Sequence, residues 1–449
     1  MTNLNNISTF YFVGIGGIGM SALARYFKMQ GKNVLGYDRT PSDLTNELIS
    51  EGMPITFIDK VSEIPTEVLR KENVLVVYTP AIPQQNKILQ YFNSEAFLIV
   101  KRSELLGEVS KNTLCLAVAG THGKTTTSAI LGHLMAECEM PVTAFLGGIA
   151  ENYNSNFIFK GSEITVVEAD EFDRSFLRLR PDIACVTSMD ADHLDIYGDA
   201  SEIEIAFKSF ADLVDEKENL FIKKGLSLNG MTVAIENTAD YEAQNVRIED
   251  GVYVFDLKTP KTTIKELTFA LPGHHNLTNA VMALGMAMQA KAPVEKLKNA
   301  LSTFQGVKRR FSYKIRTEKL VLIDDYAHHP AEIDALFQAV DEMFPKDKKQ
   351  IVFQPHLFSR TRDFGAEFAK SLSKFDEVVL LEIYPAREEP IEGITSTWLL
   401  EQINSESKKL VSKSSLADVM LQSNSRIKLM VGAGDIGVEV KSLTKILQG

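Results

Sequence analysis

Residues 114–127 read LCLAVAGTHGKTTT, an apolar run followed by a glycine-bounded polar turn and then a helical pattern. An unbroken apolar run is the mark of a strand buried on both faces. Strand, glycine loop and helix in that order open an α/β unit. Within the turn, Gly120, Thr121, His122, Gly123, Lys124, Thr125 and Thr126 supply the residue types that hold a triphosphate. Backbone N–H groups cradle phosphate oxygens, Lys124 reaches the β- and γ-phosphates, and the Thr125 hydroxyl faces Mg²⁺. The pattern departs from the full GxxxxGK[ST] form, because Val118 stands where the first glycine would be.

A second loop of this kind lies nearer the N-terminus. Gly14, Ile15, Gly16, Gly17, Ile18 and Gly19 follow a strand expected over 10–13 and precede a helical stretch over 21–30. A further strand over 33–37 ends at Asp38, 19 residues beyond Gly19. The glycines allow a tight turn and close approach of N–H groups to a diphosphate, and the acid is placed to meet a ribose hydroxyl. Taken alone, this block reads as an NAD-type dinucleotide site. Glycines that only permit close strand–helix packing would give the same pattern. An oxidoreductase has no use for a triphosphate loop, whereas a diphosphate site beside an ATP site suggests phosphate-driven joining.

The 449 residues are three times the usual domain of roughly 150. Strands are expected over 74–78 and 97–100 in the first block, and over 164–167 and 183–187 in the second, whose last helix starts near Asn276. The third block offers strands over 320–323, 350–353, 377–381 and 427–431. Three α/β domains result, bounded at 1–107, 108–308 and 309–449. Hydrophobic residues at 45% and charged residues at 24% are ordinary for a folded chain, which excludes a disordered chain or a disulfide scaffold as its class. With 48 basic and 59 acidic residues the net charge is −11, so nonspecific binding to nucleic acid or anionic membrane is not expected. Anionic ligands must be held by local groups. Cys115, Cys138 and Cys185 form no CxxC pair and read as free thiols of a reducing compartment. MTNLNNISTFYFVGIGG carries no positively charged leader, and no apolar run approaches the roughly 18–20 residues of a membrane span. A cytoplasmic location without membrane insertion is expected.

Open α/β sheets bind ligands at the carboxyl ends of their strands, and acids stand there twice. Glu168, Asp170, Glu171 and Asp173 follow the strand over 164–167, and Asp190, Asp192, His193 and Asp195 follow the one over 183–187. Carboxylate oxygens suit Mg²⁺ and a neutral imidazole can complete a second metal's shell, which makes Glu168 and His193 the first candidates. Acid-rich loops that merely face solvent are the alternative. Of the eight histidines, seven (His122, His193, His274, His275, His328, His329 and His356) fall in or beside strand-end or glycine-marked segments. His133 lies on the helix behind the triphosphate loop, where a partly exposed structural role is expected.

GIGGIGMS at 14–21, GTHGKTTT at 120–127, EADEFDRSF at 168–176, DADHLDIYG at 190–198, GHHNLTNA at 273–280, GVKRRF at 306–311, DDYAHHP at 324–330 and QPHLFSRTRD at 354–363 together resemble the Mur ligases, in order and over essentially the whole chain. The resemblance implies a Rossmann-like UDP-binding domain, a P-loop ATPase-like central domain and a Rossmann-like C-terminal domain that closes on ATP and an amino acid. Gly14, Gly16, Gly17, Ile18, Gly19 and Asp38 would then serve UDP-N-acetylmuramate, in place of NAD. ATP would lie on residues 120–126, with one Mg²⁺ near Thr125 and Glu168 and a second near Glu168 and His193. His275, Asn276 and Asn279 would surround the nucleotide, helix capping being the alternative for one asparagine. Arg310 would clamp phosphate or substrate, Asp325 would meet the nucleotide ribose, and Tyr326, His328, Arg360 and Arg362 would face the muramyl carboxylate or the amino acid.

The implied activity joins L-alanine to the lactyl carboxylate of UDP-N-acetylmuramate through an acyl phosphate, with Lys124, Glu168, His193, Arg310 and His328 carrying the chemistry, in a monomer or weak homodimer. A murein-recycling ligase that adds a tripeptide to the same nucleotide sugar is the nearest rival. A folylpolyglutamate-type ligase would lack the additional N-terminal block, and a nicotinamide oxidoreductase or a noncatalytic nucleotide sensor are rivals of other classes. Leu357 stands where some relatives carry a basic residue and Ala327 where Gly is frequent, both on the side that would recognise the amino acid. Lys208 is either a carbamylated metal bridge, as in some sister ligases, or a lysine on a helix surface.

Overall fold

Three sheets organise the chain in the computed structural model, which describes residues 4–190, 200–249, 251–386 and 388–448. The first contains β1 (Thr9–Val13), β2 (Asn33–Tyr37), β3 (Ile55–Thr56), β4 (Val74–Tyr78) and β5 (Leu98–Lys101), in the order β3-β2-β1-β4-β5. All its pairings are parallel. Every residue of β1 is buried, as its unbroken apolar run requires. The order reverses beside β1, so the crevice of this sheet opens where residues 14–19 leave the strand. The following helix is Ile18–Met29, which begins before the expected 21–30 and takes Ile18 and Gly19 into its first turn.

The second sheet contains β6 (Leu114–Ala119), β7 (Val142–Ala150), β8 (Ser155–Phe159), β9 (Ile164–Glu168), β10 (Ile183–Val186), β11 (Leu220–Lys223), β12 (Met231–Ile235), β13 (Tyr241–Glu249), β14 (Val252–Lys258) and β15 (Thr263–Phe269). Its order is β15-β14-β13-β12-β11-β10-β6-β9-β7-β8. β6 lies between β9 and β10 and parallel to both, with Val118 beside Glu168 and Ala119 beside Val186. The triphosphate-type loop thus emerges between the two acid-bearing strand ends. The third sheet contains β16 (Ser312–Arg316), β17 (Val321–Asp325), β18 (Lys349–Phe353), β19 (Glu377–Leu380), β20 (Lys408–Leu410) and β21 (Ile427–Val431), in the order β16-β17-β21-β18-β19-β20. Only β16 runs antiparallel to its neighbour among these pairings.

The chain divides into two compact units, one made of Met1–Val246, Phe255–Thr268 and Thr278–Phe304, the other of Arg247–Val254, Phe269–Leu277 and Gln305–Gly449. In the first unit two sheets share an apolar core, in which Phe10, Phe12 and Phe27 belong to the same cluster as Phe145, Phe157, Phe176 and Phe207. A polar joint crosses that core. Arg25, buried, bonds Glu51 and Glu47 within its own layer and Asn156 Oδ1 on β8 at 2.5 Å, while the Asn156 amide donates to Ser21 Oγ at 2.9 Å. In the second unit the sheet is covered on one face by Phe311, Ile333, Phe353 and Phe368 and on the other by Leu322, Val352, Met430 and Val440.

All three cysteines are free and buried, and burial pushes the Cys115 thiol up to about 12 and the Cys138 thiol up to about 11. His133 is not partly exposed as expected. It is 1% exposed, bonded through Nδ1 to Tyr153 Oη at 2.9 Å and through Nε2 to Thr303 Oγ1 at 3.0 Å, so it ties the helix Lys124–Glu137 to the turn at Tyr153 and to the C-terminal end of the helix Val294–Ser302. Among the described residues no helix is long and apolar enough to cross a membrane.

Candidate active site

The loop behind β6 is held open by glycine geometry and by the strand next to it. Gly120 and Gly123 have φ of +137° and +85°, values at which a side chain is strained. A Cβ on Gly120 would collide with Thr187, and one on Gly123 would meet Asn279 Oδ1 at 2.8 Å. Residues directly after β10 pin the loop. Thr187 Oγ1 donates to Ala119 O at 3.1 Å and to His122 O, Ser188 Oγ accepts from His122 N at 2.8 Å, and Asp190 N donates to Thr121 Oγ1 at 3.0 Å. His122 Nε2 lies 3.9 Å from Asp190 Oδ2. The helix Lys124–Glu137 then starts with its N–H groups facing the loop.

Lys124 Nζ donates to Gly120 O at 2.5 Å, to Thr121 O at 3.3 Å and to Glu171 at 2.8 Å. Thr125 Oγ1 lies 3.0 and 3.1 Å from the two Glu168 oxygens. These are hard oxygen donors converging at a helix N-terminus, the donor chemistry that fits Mg²⁺. Gly147 on β7 leaves the space that the Glu168 carboxylate fills, since a methyl group there would overlap Oε2 and Cδ. Thr126 and Asn279 are both 6% exposed beside this loop. His193 and Asp192 lie outside the described residues. Among the described residues, no group of three or more His, Cys, Asp or Glu side chains forms a metal-holding cluster. Lys208 is exposed and paired with Glu204 at 2.8 Å on its helix, which is the surface alternative.

At the first glycine loop, Gly14 has φ +89° and its N–H bonds Tyr37 O at 2.7 Å. Gly17 N turns back to Gly14 O at 3.2 Å. Asp38 does not stand clear of the loop. Its Oδ2 accepts from Gly16 N at 2.7 Å and its Oδ1 from Arg39 N at 2.7 Å, so the carboxylate ties the end of β2 to the turn. A Cβ on Gly16 would meet Asp38 Oδ2 at 2.9 Å, which gives that glycine a steric reason. A Cβ on Gly19 would meet Arg102 Nη1 at 2.8 Å, and Arg102 Nη2 lies 3.5 Å from Asp170 Oδ2. Arg102 thereby stands between the diphosphate-type turn and the acidic loop after β9.

The second unit gathers its own candidates at the end of β17. Asp325 accepts from Phe311 N and Ala327 N, each at 2.7 Å. Withdrawal from water pushes its carboxyl up to about 6, against the opposing pull of Arg310. The Arg310 guanidinium lies 5.2 Å from the Tyr326 ring centre and 4.0 Å from Glu332. His328 Nδ1 is 3.0 Å from Tyr326 O and 3.3 Å from Glu332 Oε2; burial lowers its pKa, Glu332 raises it and Arg360 lowers it further. Arg360 Nη1 is 3.3 Å from His356 Nδ1, and the His328 and His356 rings are 6.0 Å apart. Arg362 is exposed, with its guanidinium on Asp363 at 2.7 Å. Asn276 donates to Pro272 O at 2.7 Å, a contact that ties the first helical turn to the preceding loop and is not a cap, since a cap would accept from a helix N–H, and His275 is exposed beside Gly273. Leu357 holds φ +73°, a strained value for a side chain of its size.

Sequence reading did not single out Gly147, Thr187, Ser188, Arg102 or Glu332 as site residues, and it named Glu171 only as one of the acids after the strand over 164–167, where the structure pairs it with Lys124. Thr187 and Ser188 had a signal, being the first polar residues after β10; the others are brought in by packing between distant segments.

The chain matches three family models: the Mur ligase family catalytic domain over 9–113, the Mur ligase middle domain over 118–287 and the Mur ligase glutamate ligase domain over 309–436. It is 58% identical to the UDP-N-acetylmuramate–L-alanine ligase of Flavobacterium psychrophilum over 99% of each chain. It is 57% identical to the ligase of the same name from Christiangramia forsetii, over 100% of this chain and 99% of that one. Among solved structures it is similar to a UDP-N-acetylmuramate–alanine ligase from Thermotoga maritima, with TM-score 0.83, 28% identity and coverage of 98% and 99%. A murein peptide ligase from Psychrobacter arcticus shares the fold, with TM-score 0.69, 20% identity and coverage of 98% of each chain.

Proposed function

The chain belongs to the Mur ligase family, and we propose that it uses ATP to join L-alanine to the lactyl carboxylate of UDP-N-acetylmuramate, releasing ADP and phosphate, in peptidoglycan precursor synthesis. The observation that carries this reading is the presence, in one compact unit, of two strand–glycine–helix turns, of which the second sets Lys124 against Glu171 and Thr125 against Glu168. The names of the full-length relatives supply the choice of acceptor.

A carboxylate is a poor acyl donor, so one of its oxygens attacks the γ-phosphorus of ATP. The bond to the β-phosphate oxygen breaks, ADP leaves and an acyl phosphate remains. The alanine amine then attacks the carbonyl carbon, the bond to the phosphate oxygen breaks, and a proton leaves the nitrogen. In this reading residues 120–126 and Lys124 bind the phosphates, and Asn276, Asn279, His275 and Asp325 surround the nucleoside. Thr125 and Glu168 would hold one Mg²⁺, and His193 would serve a second ion. Mg²⁺ offsets charge on the transferring phosphoryl group when bound. Arg310 takes a phosphate oxygen, and residues 14–19 carry the UDP diphosphate. Tyr326, His328, Arg360 and Arg362 face the muramyl carboxylate and the amine. His328, whose burial keeps its imidazole neutral near pH 7, takes the amine proton.

The domain boundaries 1–107, 108–308 and 309–449, a cytoplasmic location where buried thiols stay reduced, and a monomer or weak homodimer belong to the same reading. The rival is addition of a recycled tripeptide to the same sugar. Phosphate release from MgATP with UDP-N-acetylmuramate is the test, with L-alanine present, absent or replaced by glycine, L-serine or the tripeptide. Release that needs both sugar and L-alanine, with a product heavier by one alanyl unit, is expected; release with the tripeptide alone would move the chain to recycling. Lys124→Ala should abolish amide formation and leave UDP-sugar binding nearly intact.

A further inference from the structure

We propose that Glu171 is a positioning residue for Lys124, which it holds over the ATP loop in competition with the nucleotide's phosphates, so that it weakens nucleotide binding and speeds ADP release; this rests on the reading of residues 120–126 as the ATP loop. Glu171 is 1% exposed and its carboxylate lies 2.8 Å from Lys124 Nζ. An ammonium has three N–H donors, and those of Lys124 are met by Gly120 O, Thr121 O and Glu171. A phosphate oxygen that takes one of these donors displaces a loop carbonyl or the carboxylate. The carbonyls are neutral and belong to the loop itself, whereas Glu171 is an anion brought from the segment after β9, 47 residues away in sequence. Burying an anion beside a site for anions opposes their binding, so its contribution is to aim the lysine rather than to attract the ligand.

Glu171→Gln keeps the shape and one acceptor while removing the charge. MgADP affinity, measured calorimetrically on the full chain, is expected to tighten by about threefold or more, with kcat and the KM for ATP falling together because ADP leaves more slowly. Affinity that is unchanged or weaker, with or without a lower melting temperature, overturns the proposal. Should the glutamine chain fail to fold, Glu171→Asp retracts the carboxylate by one methylene and is expected to tighten MgADP binding in the same direction; no tightening there overturns it equally. An unsubstituted chain that binds neither MgADP nor MgATP would sink the ATP-loop reading itself, a result distinct from wild-type binding that the substitutions leave alone.

Discussion

Gly147 and Glu168 share one volume: the missing side chain on β7 is what lets the carboxylate at the end of β9 turn towards Thr125, because a methyl group at Gly147 would overlap its Oε2. The consequence is local and chemical. Thr125 Oγ1 sits 3.0 Å from Glu168 Oε1 only while that space is free. Gly147→Ala should therefore displace the carboxylate without unfolding β7, whose φ at this position is not in the left-handed region. Misplacement of a group at a reacting centre by about 1 Å costs about 10²-fold in rate. Phosphate release under saturating substrates should fall by that factor while the melting temperature changes little; activity near the parent level would show that Glu168 has no part in the reaction.

Arg25 and Asn156 join the two layers of the first unit. The guanidinium is buried among Glu47, Glu51 and Asn156, and the two carboxylates are about one-third exposed. Arg25→Met keeps the aliphatic stem but leaves Asn156 Oδ1 without its charged donor inside the core. Allowing for solvent screening of the two glutamates, unfolding in urea should show a loss of about 2–3 kcal/mol. A midpoint that does not move would mean that the apolar cluster alone holds the layers.

The central parallel strands were legible because burial on both faces writes them as continuous apolar runs: β2, β4, β6 and β21 stand where the sequence predicts them, over 33–37, 74–78, 114–119 and 427–431. β7 was not recognised, since Gly147 and Gly148 interrupt its apolar pattern, nor was β13, where YEAQNVRIE mixes buried and exposed positions. The same division runs through the site. Lys124 and Thr125 are local to one loop and their spacing can be read directly. Glu171, Gly147 and Arg102 matter through segments packed against that loop or its neighbour, a relationship that spacing does not encode. Asp38 adds a contact of the same kind: its oxygens accept from the N–H groups of Gly16 and Arg39, which its position after β2 does not announce.

Thr187 offers a test of how far the ATP loop depends on its neighbour. Its hydroxyl, on a residue only 6% exposed, reaches both Ala119 O and His122 O. Thr187→Val preserves volume and removes the donor, so those carbonyls lose a partner and the loop loses a tether. The KM for ATP is expected to rise by about tenfold, the equivalent of one lost hydrogen bond, with UDP-sugar binding unaffected. Equal losses in both substrates would point to general unfolding of the first unit instead.

Asp325 and His328 give the second unit a pH dependence with two opposing parts. The Asp325 carboxyl is raised to about 6 in the folded chain from an ordinary value of 3.8. Between those values the folded state holds a proton that the unfolded chain has released, so this group makes stability fall as pH rises from about 4 to about 6. His328 acts oppositely: its pKa lies below the ordinary 6.5, so its contribution is complete above that value and is lost as pH falls through the lowered one. Asp325→Asn should remove the first part and leave the second, so that stability of the substituted chain rises more steeply with pH across this window than that of the parent. Denaturant midpoints at half-unit steps from pH 4 to pH 7.5 separate the two; identical profiles for both chains would mean that the Asp325 carboxyl is not raised by its surroundings.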